Sequence, residues 1–263
     1  MPAQAAPTNS IMQKVRDPKG GLIVVAHRGC HEAAPHHGWG EAPANSVLAL
    51  QRCADMGVDV METDIHMSRD GYLIMVHDDT VDRVSNARVR SASLRLRRSR
   101  LLRLKQGLGG ADAPLTQPSF LTLDEMLTLA KGRIVLTLDI KGPIYPEVID
   151  AVVRAGAQDW VIVKTSAGHG SGPLAAIAPY NEVPFAVIPV STDGRGTDIS
   201  AIIAKQMAGR TKPIAVELPY IPAAALPAIA QSARAAGVRL WVNSLWKGFV
   251  IGDGRDIEAF AQT

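Results

Sequence analysis

The sequence alternates between short β-branched runs and stretches of helical length, and this alternation constrains the fold more than any other feature. Strands that alternate with helices are typical of βαβ units and a parallel sheet. No glycine-rich dinucleotide fingerprint follows the first run, which weakens the case for an open doubly wound sheet. The predicted strands are 22–26, 58–65, 73–76, 134–140, 160–163, 185–190, 214–218 and 238–242. The predicted helices are 47–56, 121–131, 146–155, 174–178, 199–207 and 223–236.

Length and composition agree with one α/β domain. The chain has 263 residues, of which 47% are hydrophobic and 20% charged, a globular composition. Eight predicted strands in a chain of this length favour a closed (β/α)8 TIM barrel, which takes about 250 residues. We therefore predict a single barrel domain over 1–263. Within it, 1–20 is an N-terminal extension and 83–118 is a basic insertion between the third strand and its helix.

The same features disfavour several classes of protein. No run approaches the ~18 apolar residues of a membrane-spanning helix, so we expect no integral membrane association. The N-terminus lacks the basic start and apolar stretch of a secretory signal. Two cysteines, Cys30 and Cys53, are too few for a disulfide framework, so we expect unpaired thiols and a cytoplasmic protein. A net charge of +3 is too small to indicate a nucleic-acid partner.

Positive charge is concentrated in one segment, 88–105, which has eight basic residues and no acidic one. Without these eight, the rest of the chain carries a net charge of −5. The interleaved leucines favour a segment that packs its leucines and exposes its charges to water. The alternative is an anion-binding or membrane-surface patch. The eight residues are Arg88, Arg90, Arg95, Arg97, Arg98, Arg100, Arg103 and Lys105.

Acidic side chains fall at the carboxyl ends of the second and fourth predicted strands, where the active site of a parallel barrel lies. Glu62 and Asp64 end the second strand, and their spacing places both on one face. Asp139 and Lys141 end the fourth strand with the same spacing. Three carboxylates form a site of hard oxygen ligands, which suits Ca²⁺ or Mg²⁺. We therefore predict one divalent cation held by Glu62, Asp64 and Asp139.

Histidine and cationic residues follow the first and third predicted strands. His27 and His77 suit general acid–base chemistry, because imidazole titrates near neutral pH. Arg28 follows His27 directly and, with Lys141, would bind an anion such as phosphate. A single histidine at a strand end is often structural. The functional interpretation depends on four successive strands that end in complementary groups.

These residues belong to motifs that together resemble the glycerophosphodiester phosphodiesterase family. The resemblance covers roughly residues 22–250, with the motifs in the order that the family has. It implies a (β/α)8 barrel with a divalent cation that cleaves glycerophosphodiesters to glycerol 3-phosphate and an alcohol. The motifs are Val25-Ala26-His27-Arg28-Gly29, Ala44-Asn45-Ser46, Met61-Glu62-Thr63-Asp64, Asp70-Gly71, Val76-His77-Asp78, Leu121-Thr122-Leu123-Asp124-Glu125, Leu138-Asp139-Ile140-Lys141 and Trp241-Val242-Asn243.

The resemblance also implies a role for individual residues. One histidine would deprotonate the nucleophile, which is a neighbouring glycerol hydroxyl or a water, and the other would protonate the leaving alkoxide. Which histidine does which, and which alcohol leaves, stay open. The acid–base pair is His27 and His77, the metal ligands are Glu62, Asp64 and Asp139, and the substrate contacts are Arg28, Lys141, Asn45 and Trp241.

Two departures from the family pattern concern the site. Ala44 stands where the family has glutamate, so the carboxylate near Arg28 is either missing or supplied by Glu41. Asp139 is shorter than the glutamate that is common as the third metal ligand. Two other functions stay open. One is a phospholipase of the phosphatidylinositol-specific or sphingomyelinase D type, which also uses two histidines in a barrel. The other, favoured by Ala44, is a barrel that binds phosphodiesters without turnover.

A third departure concerns the end of the barrel. By strand count, 238–242 is the eighth strand and closes the barrel. By the resemblance, it is the seventh, and a further strand and helix should follow Ile257. We favour the resemblance and expect that 214–218 is not a barrel strand, because prolines flank it. A barrel without its closing strand would expose an edge and favour a homo-oligomer.

Overall fold

The computed structural model describes residues 8–191, 197–209, 212–218, 221 and 223–243. The strands in these ranges are β1 (Val25–Ala26), β2 (Val60–Met67), β3 (Leu73–Met75), β4 (Val135–Ile140), β5 (Val161–Ala167), β6 (Phe185–Pro189), β7 (Ala215–Glu217) and β8 (Arg239–Trp241). The α-helices are α1 (Thr8–Arg16), α2 (Val47–Asp55), α3 (Leu96–Ser99), α4 (Leu123–Ala130), α5 (Tyr145–Arg154), α6 (Ile199–Met207) and α7 (Leu226–Ala236). None of these helices is long and apolar enough to cross a membrane.

Each predicted strand overlaps an observed one, whereas one predicted helix is wrong. The segment 174–178 forms only a short 3-10 helix, Leu174–Ala176. Pro173 directly before it and Pro179 soon after it restrict how far a helix can extend there. Helices α1 and α3 were not predicted, because one lies in the presumed extension and the other in the basic insertion.

The chain divides into two compact units, one made of 1–13 and 23–162 and the other of 14–22 and 163–263. In the first unit, β2 is central and pairs in parallel with β1 on one side and β4 on the other. β2 and β4 are almost wholly buried, as expected for strands covered on both faces.

The third predicted strand is not part of this parallel set. β3 pairs antiparallel with β2, with Ile65 opposite Met75 and Met67 opposite Leu73. The two strands form a hairpin whose turn contains Asp70-Gly71, and Gly71 has a positive φ of 83°. The expectation that β3 is a barrel strand followed by a helical crossover is therefore wrong. The short turn leaves no room for the crossover that parallel pairing needs.

In the second unit, β5, β6, β7 and β8 pair in parallel in chain order. The segment 214–218 does form a strand, β7, so the expectation that it lies outside the sheet is wrong. With β3 excluded, β8 is the seventh parallel strand among the described residues, the position that the family resemblance implies. The predicted closing strand and helix after Ile257 lie outside the described residues.

Cys30 and Cys53 form a disulfide, which corrects the prediction of unpaired thiols. The loop after β1 lies against α2, and the two Cα atoms are 5.2 Å apart, an ordinary spacing for a disulfide. The pairing could not be read from the sequence, because it depends on how this loop meets the helix.

Candidate active site

The three predicted metal ligands lie together on neighbouring strands of the first unit. Glu62 and Asp64 alternate along β2, so both side chains leave the same face of the strand. Asp139 lies on β4 directly opposite Asp64, because their Cα atoms are register partners. One carboxylate oxygen from each residue lies within 4.8 Å of the others. The spacing in the sequence thus produces one carboxylate cluster, made of Glu62, Asp64 and Asp139.

The carboxylate cluster suits a hard divalent cation. Glu62 and Asp64 are only 2% and 1% exposed. Carboxylates buried this close together repel one another unless positive charge balances them. The cluster offers oxygen ligands alone, which Ca²⁺ and Mg²⁺ prefer over the softer metals that select sulfur or imidazole.

Lys141 supplies part of the balancing charge. Its Nζ lies 3.1 Å from Oδ1 of Asp64 and 3.2 Å from Oδ1 of Asp139. Burial lowers the pKa of Lys141, but the two carboxylates outweigh burial and the net shift is upward. Lys141 is therefore charged at neutral pH, directly beside the carboxylate cluster.

Arg28 reaches the cluster from the loop after β1. Its backbone has a positive φ of 55°, and its N–H donates to Oε2 of Glu62 at 2.9 Å. Its Nε lies 3.3 Å from Oδ2 of Asp64. Gly29 follows with a φ of 82°, and a Cβ there would lie 2.8 Å from the terminal methyl of Met61. Glycine at position 29 therefore permits the close approach that brings Arg28 onto the carboxylates.

Asn45 holds Asp64 from the loop before α2. Its Nδ2 donates to Oδ2 of Asp64 at 2.9 Å, and its Oδ1 accepts from the Asp64 N–H and from Thr63 Oγ1. Asn45 also has a positive φ, 56°, which asparagine adopts more readily than most residues. Ser46 then caps α2 through its side-chain oxygen. These contacts indicate a positioning role for Asn45, and its predicted contact with substrate stays a prediction.

His27 is the first residue after β1 and is half-buried. The register of β1 with β2 pairs Ala26 with Met61, so the next position along β1 is level with Glu62. His27 therefore lies at the carboxyl end of β1, as predicted. Its acid–base role stays a prediction.

His77 reaches the same region through the β2–β3 hairpin rather than at the end of a barrel strand. β2 continues past Asp64 to Met67, and the chain then returns as β3. The N–H of Val76 donates to the carbonyl of Asp64 at 3.0 Å. The next residue, His77, therefore comes back beside the carboxylate-bearing part of β2.

Asp78 connects His77 to Arg83, a residue that the sequence analysis missed. Nδ1 of His77 lies 2.7 Å from Oδ1 of Asp78. Arg83 donates to both oxygens of Asp78, through Nε at 2.6 Å and Nη2 at 2.8 Å. The hydrogen bonds from Arg83 are the main reason that the pKa of Asp78 falls to about 2. Asp78 is therefore ionised at neutral pH and fixes the tautomer of His77 that carries its proton on Nδ1.

His66 is a second missed residue near His77. It lies on β2, is buried, and places its Nε2 3.1 Å from the carbonyl oxygen of His77. In the sequence, His66 could have been singled out because it is a polar residue in the same strand as Glu62 and Asp64. This contact supports the backbone of the His77 loop.

The substitution at Ala44 does not leave Arg28 without a carboxylate, because Asp64 pairs with it. Glu41 lies against a different residue: its Oε2 is 2.9 Å from the position that a Cβ on Gly107 would take. The partner of Arg28 therefore comes from β2.

Trp241 lies at the end of β8 in the second unit, next to a buried ion pair that the sequence analysis missed. Nζ of Lys164 lies 2.9 Å from Oε2 of Glu217 and 5.3 Å from the centre of a Trp241 ring. Nδ2 of Asn243 donates to the other oxygen of Glu217 at 3.0 Å. Lys164 and Glu217 are single charged residues in otherwise apolar runs, which is the signal that points to them. Substrate binding by Trp241 stays a prediction.

The strand ends of these parallel βα units carry a buried carboxylate cluster with arginine, lysine and histidine beside it. This arrangement is typical of the α/β barrel proteins, whose polar site lies at the strand ends. The model of the glycerophosphoryl diester phosphodiesterase family matches residues 27–166, just over half of the chain. The chain belongs to this family.

Sequence relatives agree with this assignment over about a quarter of each chain, and solved structures agree in fold over most of it. A glycerophosphodiester phosphodiesterase of Caldanaerobacter subterraneus is 36% identical over 64 residues, which are 24% of this chain and 23% of that protein. A solved glycerophosphoryl diester phosphodiesterase of Parabacteroides distasonis has a TM-score of 0.67 at 17% identity, covering 91% of this chain and 78% of that one. A phosphodiesterase of Oleispira antarctica, solved with the product sn-glycerol-3-phosphate, has a TM-score of 0.61 at 17% identity, covering 85% of each chain. These structures show the TIM-barrel fold.

Proposed function

We propose that the protein hydrolyses glycerophosphodiesters to glycerol 3-phosphate and an alcohol, and that it requires a divalent cation. The observation that carries the proposal is the carboxylate cluster of Glu62, Asp64 and Asp139 with Arg28 and Lys141 bound to it. Membership of the glycerophosphoryl diester phosphodiesterase family supports it. The Oleispira antarctica phosphodiesterase, which binds glycerol 3-phosphate as its product, supports the choice of product.

The cation would be Ca²⁺ or Mg²⁺, held by the three carboxylates of the cluster. Such an ion supplies Lewis-acid polarisation of a phosphoryl oxygen. Asn45 holds Asp64 in place through Oδ2, so the carboxylate is oriented before any ligand arrives.

Arg28 and Lys141 would bind the phosphodiester group. Their charges are already fixed beside the carboxylates, at 3.3 Å for Arg28 and 3.1 Å for Lys141 from oxygens of Asp64. Fixed cations stabilise negative charge that grows on phosphoryl oxygens in the transition state without the cost of reorganising solvent. Arginine contributes a planar pair of donors and lysine a point charge.

His27 and His77 would move the protons. One would take the proton of the attacking hydroxyl or water, and the other would give a proton to the leaving alkoxide. Asp78 engages Nδ1 of His77, so Nε2 is the nitrogen that exchanges a proton with the substrate. His77 is about one-third exposed, which leaves its ring accessible to a ligand.

The cytoplasmic location stays a prediction from the sequence, and the Cys30–Cys53 disulfide argues against it. Disulfides persist mainly in oxidising compartments and are rare where thiols are kept reduced. A count of free thiols in protein isolated from its native cells decides between the two locations. Two free thiols would support the cytoplasm, and none would contradict it.

The test of function is release of glycerol 3-phosphate from a panel of glycerophosphodiesters that differ in their alcohol. The same panel includes phosphatidylinositol and sphingomyelin, the substrates of the two phospholipase types. We expect product from deacylated diesters only, and loss of product in Asp64→Asn. Asp150→Asn, an exposed carboxylate on α5, is the matched control and should keep full activity. Release of a lipid product instead, or no turnover of any diester, would contradict the proposal.

A further inference from the structure

The basic segment 88–105 takes no part in the proposed function, and the structure divides its side chains by chemistry. Leu94 and Leu104 are 0% and 3% exposed and pack in one core with Val81 and Phe120. The seven arginines of the segment are all exposed. This much agrees with an insertion that buries its leucines and leaves its charges in water.

Leu101 departs from that arrangement. It is 77% exposed, although it lies two residues after the end of α3 and between the buried Leu94 and Leu104. Its N–H donates to the carbonyl of Arg98 at 3.0 Å, so the helical turn continues through residue 101. Side chains three and four positions earlier then lie on the same side as Leu101, and these are Arg98 and Arg97. The surface therefore presents an apolar side chain with two cations beside it.

The carboxylates of Glu125 and Asp70, which pack against this segment, bind groups of the segment other than Arg97 and Arg98. Glu125 pairs with Arg100 at 2.6 Å, and Asp70 accepts from the backbone N–H of Leu96 at 3.1 Å. Among the residues that the structure describes, neither Arg97 nor Arg98 forms an ion pair with a carboxylate. Their charges therefore remain available to an external anion.

We propose that the surface formed by Arg97, Arg98 and Leu101 binds the anionic surface of a lipid bilayer. Arginines next to a membrane are attracted to acidic headgroups, and an exposed leucine between them gains by entering the boundary between headgroups and acyl chains. A nucleic acid would use the arginines but would leave Leu101 in water. The rest of the chain carries a net charge of −5, so an acidic surface attracts the basic segment and repels the remainder. This difference would orient the protein with the basic segment facing the bilayer.

Vesicle sedimentation tests the proposal, and it does not depend on catalytic activity. The full chain is mixed with vesicles of phosphatidylcholine alone, or of phosphatidylcholine with phosphatidylserine. We expect binding only to the acidic vesicles, weakened by added salt. The double variant Arg97→Glu/Arg98→Glu should bind them at least tenfold more weakly, since each arginine near the surface contributes on the order of a fivefold change. Leu101→Ser should weaken binding severalfold. It should also reduce the part of the binding that persists when salt is added.

The control is Arg133→Glu/Arg154→Glu, which makes the same change in net charge at one half-buried and one exposed position outside the segment. It should bind acidic vesicles within about twofold of the native chain. Equal binding by the native chain and Arg97→Glu/Arg98→Glu would overturn the proposal. The proposal would also be overturned if the native chain did not bind acidic vesicles. It would be overturned as well if the native chain bound a nucleic-acid duplex and Leu101→Ser kept its full affinity for vesicles. Melting temperatures of the variants show that each is folded.

Discussion

Nδ1 of His77 lies 2.7 Å from the carboxylate of Asp78, the residue that follows it. Adjacent residues in a strand point to opposite faces, so this contact requires the irregular backbone that follows β3. Arg83 holds the same carboxylate from the other side with two hydrogen bonds. The pair therefore forms a fixed unit in which one side chain orients the other.

Replacing Asp78 by asparagine should lower kcat by about tenfold to a hundredfold with little change in KM, because the orientation and tautomer of His77 are lost rather than substrate binding. Steady-state kinetics on a glycerophosphodiester measures both constants. Asp150→Asn is the matched control, since Asp150 is an exposed carboxylate on α5. A large rise in KM at unchanged kcat would show that Asp78 serves binding instead.

The low pKa of Asp78 also predicts how stability depends on pH. A carboxylate whose pKa falls to about 2 on folding stabilises the native state at pH values above its unfolded pKa, near 3.9. That contribution is lost as the pH falls from about 4 to about 2. Allowing for partial exposure, we expect a loss of about 1–2 kcal/mol in the free energy of unfolding. Urea unfolding across this range should show a smaller loss for Asp78→Asn, and identical pH profiles would contradict the assignment.

Removing either His27 or His77 should reduce kcat by about 10²–10⁴ while the fold remains intact. The effects of the two substitutions should fall well short of additive in the double variant, because the residues would act in one step. His36→Ala, at an exposed position of the short 3-10 helix Pro35–His37, provides the control. Near-native kcat in His27→Ala, with a substrate whose leaving group needs a proton, would make His27 structural.

The disulfide should contribute to stability mainly by restricting the unfolded chain. Cys30 and Cys53 are 23 residues apart, and closing a loop of that size stabilises a protein by about 3 kcal/mol. Urea unfolding with and without reductant should show this difference in the native chain and none in Cys30→Ser/Cys53→Ser. Mass spectrometry of the unreduced protein gives an independent check, and two free thiols there would contradict the pairing.

Much of the fold could be predicted, because strand positions depend on local apolar runs. The carboxylate cluster could be predicted as well, since Glu62 and Asp64 share a face of one strand whatever its neighbours are. The orientation of β3 could not, because three residues with the same apolar pattern pair equally well in either direction. Only the tight turn at Asp70-Gly71 distinguishes a hairpin, and the same two residues also form a motif of the family, which hides their role as a turn.

The contacts that support the site could not be predicted from the sequence either. Arg83 lies in an irregular loop, where no periodic pattern relates it to Asp78. The Cys30–Cys53 pair and the contact of Asn45 with Asp64 depend on how loops cross the strands, and that is set by tertiary packing. The exposure of Leu101 is of the same kind, since Leu94 and Leu104 in the same segment are buried.

We expect Glu62, Asp64 and Asp139 to hold a divalent cation, and thermal unfolding with added metal tests this claim. A ligand bound by the native state alone raises the melting temperature, so Ca²⁺ or Mg²⁺ should raise Tm and chelator should reverse the rise. Glu62→Gln should abolish the shift, whereas the control Asp150→Asn should keep it. A Tm that does not respond to either metal, or an equal response in Glu62→Gln, would contradict the claim.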